Sequence, residues 1–184
     1  MQTYISLLRG INVGGHKRIA MEPLKLMFSS LGFQDVSSYI QSGNLVFNYS
    51  KSENGFLEKM IAEKIQVQFG IDVPVLVIDL KAWKDITESN PFINNEEMNT
   101  DTLYLTLLKN SPEPSGLLAM NSSDFAPEEF QLKGQSIYLY IPLGYHQCKL
   151  TNNYLEKKLK ALCTTRNWKT ILAITQLAES IYKP

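Results

Sequence analysis

The chain has 184 residues, 44% of them hydrophobic and 20% charged, with 18 basic residues against 18 acidic ones. That is enough for one large domain or two small ones with buried cores, at a composition ordinary for a globular protein. The balanced charge argues against a protein held on nucleic acid mainly by counterion release, though not against a local basic patch.

Cys148 and Cys163 are the two cysteines, with no CxxC, no paired histidines and no zinc spacing, so they read as reduced thiols of a cytosolic protein. His16 and His146 are the two histidines, too few for a His-rich metal centre. No apolar run reaches membrane-span length, and no charged-then-apolar leader opens the chain. The expectation is a soluble cytoplasmic protein with no membrane partner and no cofactor motif.

In chain order, residues 3–9 (TYISLLR) are a short β-rich apolar run and predict a strand. Residues 10–18 (GINVGGHKR) then break every regular pattern. Gly10, Asn12, Gly14 and Gly15 tolerate positive φ, and Arg9, Lys17 and Arg18 flank them, so the loop can turn backbone N–H groups toward an anion. The alternative is a connection that merely needs unusual dihedrals. Met21, Leu24, Met27, Phe28 and Leu31 follow at helical spacing, with Pro23 in the first turn and Gly32 as the stop. Residues 35–41 and 44–49 predict two strands around Ser42-Gly43, a hairpin signature. Residues 53–69 predict an amphipathic helix ended by Gly70, and 71–79 a strand that Pro74 pushes to an edge or to a start at residue 75.

The order β-α-β-β-α-β is the ferredoxin-like unit. A short helix near 80–88 and the Asn-rich loop NPFINNEEMN form a connection over 81–100, which separates subdomain 1–80 from subdomain 101–184. Residues 103–109 (LYLTLLK) repeat 3–9 nearly position for position, at an offset of one hundred residues, and mark an internal duplication. The second half continues with a helix over 112–121, strands over 128–132 and 136–141, and helices over 152–162 and 168–182. No fourth strand is visible in it. The predicted class is α+β, a tandem pair of antiparallel plaits, the second a variant with an added C-terminal helix.

Within a plait, the loop leaving strand one and the hairpin leaving strand two share one end of the sheet. Ser42, Gly43 and Asn44 are therefore expected beside Gly14, Gly15 and Lys17. The loop is not a P-loop: Gly10 to Gly15 has the spacing, but His16 replaces the lysine and no hydroxyl follows. A second patch is TTRNWKT, 164–170, where Thr165 or Asn167 could cap a helix. Arg166 is a poor choice at a helix N-terminus and is a candidate anion ligand there; Lys149 could join it, and Trp168 reads as core. His16 could act as an acid or base, against the plainer reading of a surface histidine; His146 has no visible role, and both cysteines read as small buried side chains. Tyr4, Phe47 and Tyr49, echoed by Tyr104, Tyr138 and Tyr140, could share the helix-free sheet face as base-stacking platforms, or be buried between the halves.

YISLLRGINVGGHKRI with the MEPLK helix, YIQSGNLVF, the NPF turn at 90–92 and TTRNWKT together resemble a bacterial family catalogued as domain of unknown function 1697. The resemblance spans nearly the whole chain and implies two ferredoxin-like halves, but no activity. The segment GYHQCKL departs from the family's usual Ser or Thr before the lysine, which places Cys148 outside essential chemistry.

Three functions compete. One is a binding protein for a phosphate-bearing small molecule or nucleotide, through Arg9, Gly10, Asn12, Gly14, Gly15, Lys17, Ser42, Gly43, Asn44, Arg166 and Asn167. Another is a phosphoryl-group hydrolase in the same pocket, by fold analogy with acylphosphatases, with Arg9 or Arg18 on phosphate and Asn44 positioning water. The last is an RNA- or protein-interaction module on the aromatic sheet face; nucleic acid is the less favoured partner.

Overall fold

The computed structural model describes residues 1–15, 17–93 and 99–183. His16 and residues 94–98 of the Asn-rich loop expected at 90–99 lie outside the described residues. The chain divides into two compact units, one made of Met1–Asp85 with Leu172–Pro184, the other of Ile86–Ile171.

The first unit begins with β1 (Gln2–Leu8) and continues with α1 (Met21–Ser30), β2 (Gln34–Tyr39), β3 (Asn44–Tyr49), α2 (Asn54–Phe69) and β4 (Val75–Asp79). The strands form a four-stranded antiparallel sheet in the order β2-β3-β1-β4. This is the ferredoxin-like order that the helix and strand spacing predicts. Side chains alternate across a strand, so Tyr4 and Leu8 of β1 face the same way as Leu45 and Phe47 of β3. They meet Leu24, Met27 and Phe28 of α1 and Leu57, Ile61 and Ile65 of α2 in one apolar core. Gly70, at φ 69, ends α2 in the left-handed conformation. Pro74 lacks an N–H and stays out of the ladder; β4 starts at Val75 on the sheet edge, as the proline requires.

On the opposite face of this sheet, Asn48 organises a polar cluster. Its Oδ1 accepts from Thr3 Oγ1 at 2.7 Å, and its Nδ2 donates to Asp35 Oδ2 at 2.9 Å and to the Ile181 carbonyl at 2.7 Å. Lys183 Nζ reaches the same Asp35 oxygen at 2.6 Å. Trp83 lies in α3 (Leu80–Glu88), and its indole N–H donates to Thr175 Oγ1 at 2.8 Å.

The second unit holds β5 (Leu103–Leu108), α4 (Pro114–Leu118), β6 (Glu129–Lys133), β7 (Ser136–Tyr140), α5 (Asn152–Leu159) and β8 (Cys163–Asn167), then the start of α6 (Trp168–Ile181). Its sheet runs β6-β7-β5-β8, the same topology as the first. The expectation of no fourth strand is therefore corrected: β8 pairs antiparallel with β5 from Leu108↔Cys163 to Tyr104↔Asn167. Its sequence, CTTRN, carries one apolar residue and ends in Arg-Asn, so neither alternation nor an apolar run advertises it. The preceding helix is shorter than expected because Lys160 turns left-handed at φ 52 and stops it. Ile137, Leu139, Leu155 and Leu159 form the core, with Phe125 set edge-on against Phe130 and Tyr154.

Candidate functional site

The β1–α1 connection is the least regular stretch of the first unit. Gly10, Asn12, Gly14, Gly15 and Lys17 have φ of 71°, 56°, 59°, 80° and 47°. A non-glycine residue at positive φ is uncommon, and two here alternate with three glycines. The loop is exposed at Gly10, Val13, Gly14, Gly15, Lys17 and Arg18. It is nevertheless held at its base. Asn12 Oδ1 accepts from the Ile19 N–H at 2.9 Å, and Asn12 Nδ2 donates to the carbonyls of Ile19 at 2.9 Å and Gln41 at 2.7 Å. The Asn12 N–H donates to Lys17 O at 3.2 Å, closing the loop on itself. Lys17 Nζ donates to Asp72 O.

The hairpin after β2 lies against this loop, as the topology predicts. Leu7 pairs with Asn44, and the Leu8 N–H donates to Gly43 O at 2.8 Å. Gly43 is fitted to the loop's first residues: a Cβ there would stand 2.6 Å from Leu8 Cβ and 2.9 Å from Ile11 Cδ1, at φ 72. Only glycine meets both demands. Asn44 is 1% exposed, and its amide donates to Tyr39 O at 3.2 Å and Ser42 Oγ at 2.9 Å. Those donors are committed to the hairpin, which removes the support for Asn44 as a water-positioning residue. Asn12, Ser42, Gly43 and Asn44 therefore shape the site from behind. Among the exposed described groups of the loop are Gly14, Gly15 and Arg18, whose Nη2 would lie 3.6 Å from a Cβ at Gly15. Arg9 is half-buried, its N–H donating to Pro74 O at 2.9 Å.

Arg166 and Asn167 belong to the second unit. Arg166 is a strand residue rather than the helix-start residue expected, paired across from Leu105 on the face opposite Thr165. Its Nη1 donates to Thr164 Oγ1 at 2.7 Å and Thr165 O at 2.9 Å. Burial disfavours its charge and pushes its pKa down to about 10, with Tyr145 nearby acting in the opposite sense. Asn167 does cap α6, accepting from the Thr170 N–H at 2.9 Å. Thr165 does not; its hydroxyl donates to Asn152 Oδ1 at 2.6 Å and lies 2.6 Å from Thr106 Oγ1. Lys169 pairs with Asp101 at 2.8 Å beside a cavity of about 220 Å³ lined by Thr100, Asp101, Asn167 and Lys169. Lys149 Nζ rests on the carbonyls of Asp124 and Ala126.

The remaining candidates resolve as structure. Cys148 Sγ donates to Glu128 at 3.4 Å, and burial with that carboxylate beside it pushes the thiol up to about 12, so it is no nucleophile. Cys163 is buried too, its thiol on Asn152. Tyr4 and Phe47 stack at 5.6 Å under α1 and α2, so they face the helices and not an open sheet. Tyr104 packs on the same side of the second sheet, and Tyr138 is 1% exposed with its hydroxyl donating to Ile86 O at 2.7 Å. No base could stack on Tyr4, Phe47 or Tyr138, which corrects the RNA-platform reading of these residues. Ile40, in the same hairpin, is exposed at φ 49, and nothing in YIQSGN marks that position for a left-handed backbone. Among the described residues there is no acidic, His or Cys cluster able to hold a metal ion, and no helix is long and apolar enough to cross a membrane.

Fold and site together define a duplicated α+β plait protein in which one copy carries a basic, glycine-rich loop after its first strand. A family model described as "Protein of unknown function (DUF1697)" matches residues 1–138, and the chain belongs to that family. Its structure is similar to that of the conserved bacterial protein SP0830 from Streptococcus pneumoniae, with a TM-score of 0.69 over 96% of this chain and 98% of that one. At 22% identity that likeness is one of fold. No curated protein matches the chain.

Proposed function

We propose that this is a cytoplasmic binding protein for a phosphate-bearing small molecule, held by the β1–α1 loop of the first unit. The observation that carries this reading is the contrast between two equivalent connections. Among its described residues the β1–α1 loop has five at positive φ, whereas the β5–α4 connection, 109–113, has none. The same fold closes without such a loop, so its conformation serves something other than closure. Arg9 and Arg18 supply guanidinium groups suited to phosphate oxygens, and backbone N–H groups at Gly14 and Gly15 add neutral donors. Asn12 and Gly43 preorganise these groups, which lowers the ordering cost of binding.

A thermal-shift series with inorganic phosphate, pyrophosphate and nucleoside phosphates tests the reading. Any stabilising compound is then assayed for turnover. Arg9→Ala and Arg18→Ala should shrink the ligand-induced rise in Tm, and the exposed Arg18 should change intrinsic stability by no more than about 0.5 kcal/mol. Undiminished shifts in both variants would remove the loop from the site. Arg166→Ala run in parallel assigns that guanidinium to the site or takes it out.

A further inference from the structure

The loop and its hairpin carry two exposed aliphatic side chains that no core explains. Val13 is 63% exposed and follows Asn12; Ile40 is 53% exposed and precedes Gln41. Asn12 Nδ2 and Gln41 O are joined at 2.7 Å, so the two apolar residues flank one anchoring bond at the edge of the basic loop. Ile40 is also the one β-branched residue at positive φ among the described residues, at 49°. A β-branched side chain is a genuine outlier there, whereas Asn or Gly would be relaxed. A strained, exposed Ile beside the anchor of the glycine loop contributes little to folding that a relaxed residue would not contribute better. Strain of this kind gathers at ligand sites.

Resting on the anion-binding reading above, we infer that Ile40 and Val13 form an apolar lip, and that the ligand is a phosphate ester with a flat apolar body, of the nucleoside monophosphate class. The phosphate meets Arg9, Arg18 and the glycine backbone, and the base lies over Ile40. Inorganic phosphate fills only the polar half of such a site. A plain sugar phosphate gains little from the lip, because it lacks the flat apolar ring that would cover it.

The test uses the full chain and isothermal titration with three probes: inorganic phosphate, ribose 5-phosphate and AMP. AMP should bind about tenfold more tightly than ribose 5-phosphate, the gain expected when roughly half of the exposed lip is covered. Ile40→Asn should remove most of the AMP preference over ribose 5-phosphate while raising Tm, since Asn tolerates the left-handed backbone. Val13→Ser provides a second variant that leaves the hairpin untouched, and it should lower AMP affinity severalfold. Equal affinity for AMP and ribose 5-phosphate, or an AMP preference that survives both substitutions, overturns the apolar lip while leaving the anion site standing. Failure of all three probes to bind overturns the anion site itself.

Discussion

Asn12→Ala is the substitution that most directly tests whether the glycine loop is framed or loose. It deletes three side-chain hydrogen bonds, from the Ile19 N–H and to the carbonyls of Ile19 and Gln41. Each such bond contributes about 0.5–1.5 kcal/mol net, and the Gln41 bond is exposed and belongs at the low end. Placing Ala at φ 56 adds up to about 1 kcal/mol of backbone strain. The expected loss is about 2–4 kcal/mol. Asn12→Gly deletes the same bonds without the strain, so the difference between the two variants isolates the backbone contribution. Urea unfolding followed by Trp83 fluorescence in a Trp168→Phe background reads the first unit alone, because the chain has two tryptophans and Trp83 lies in that unit. A loss below about 0.5 kcal/mol for Asn12→Ala would refute the argument, because the loop would then not depend on its anchor.

Other outcomes follow from the same geometry. Gly116→Ala should destabilise the second unit by at least about 2 kcal/mol, because its Cβ would overlap the Lys158 carbonyl of α5; helix propensity alone predicts a gain of about 1 kcal/mol, so the sign of the change in urea midpoint decides between them. Asp35 has its pKa lowered, first by its bond to Lys183 and then by Asn48, so its contribution is present above its unfolded value near 3.8 and disappears as pH falls through the lower folded value. Asp35→Asn should flatten the stability profile below about pH 4, and an unchanged acid limb in denaturation would count against the Lys183–Asp35–Asn48 cluster. Cys148 runs the other way: its folded pKa of about 12 stands above the ordinary 9.0, so it draws stability away as pH rises from 9 toward 12. At pH 9 iodoacetamide should alkylate Cys148 far more slowly in the native protein than in urea, and equal rates would contradict its burial.

Much of this architecture was legible in residue order. The first unit's six elements follow from apolar spacing and from Gly32, Gly70 and Pro74, each acting on the backbone within a residue or two of itself. The neighbourhood of the glycine loop and Ser42–Asn44 followed from topology alone. What escaped was information held by partners distant in sequence. β8 is a strand because β5 offers it a ladder, not because Cys-Thr-Thr-Arg-Asn prefers one. Asn12 looks like a ligand group until Ile19 and Gln41 are seen to occupy its amide. Tyr4 and Phe47 look like a stacking pair for a base until the helices that cover them are in place.

The two hairpins sharpen the argument for the loop. Each unit places a glycine between its second and third strands, Gly43 at φ 72 and Gly134 at φ 58, and each hairpin accepts a bond from the end of its first strand, Leu8 N to Gly43 O and Leu108 N to Gln135 O. Around Gly134 a Cβ would meet nothing within 4 Å, so that glycine answers only to its turn. Around Gly43 it would strike Leu8 and Ile11, so that glycine answers to the loop as well. The first hairpin has been brought into contact with a connection the second unit does without. A loop with five of its described residues at positive φ costs backbone entropy and strain, and here a neighbouring hairpin is shaped to keep it in place. Conformational cost held in place on both sides, beside the exposed Arg18, is what the proposed binding role asks of this loop and what the second unit's plain connection does without.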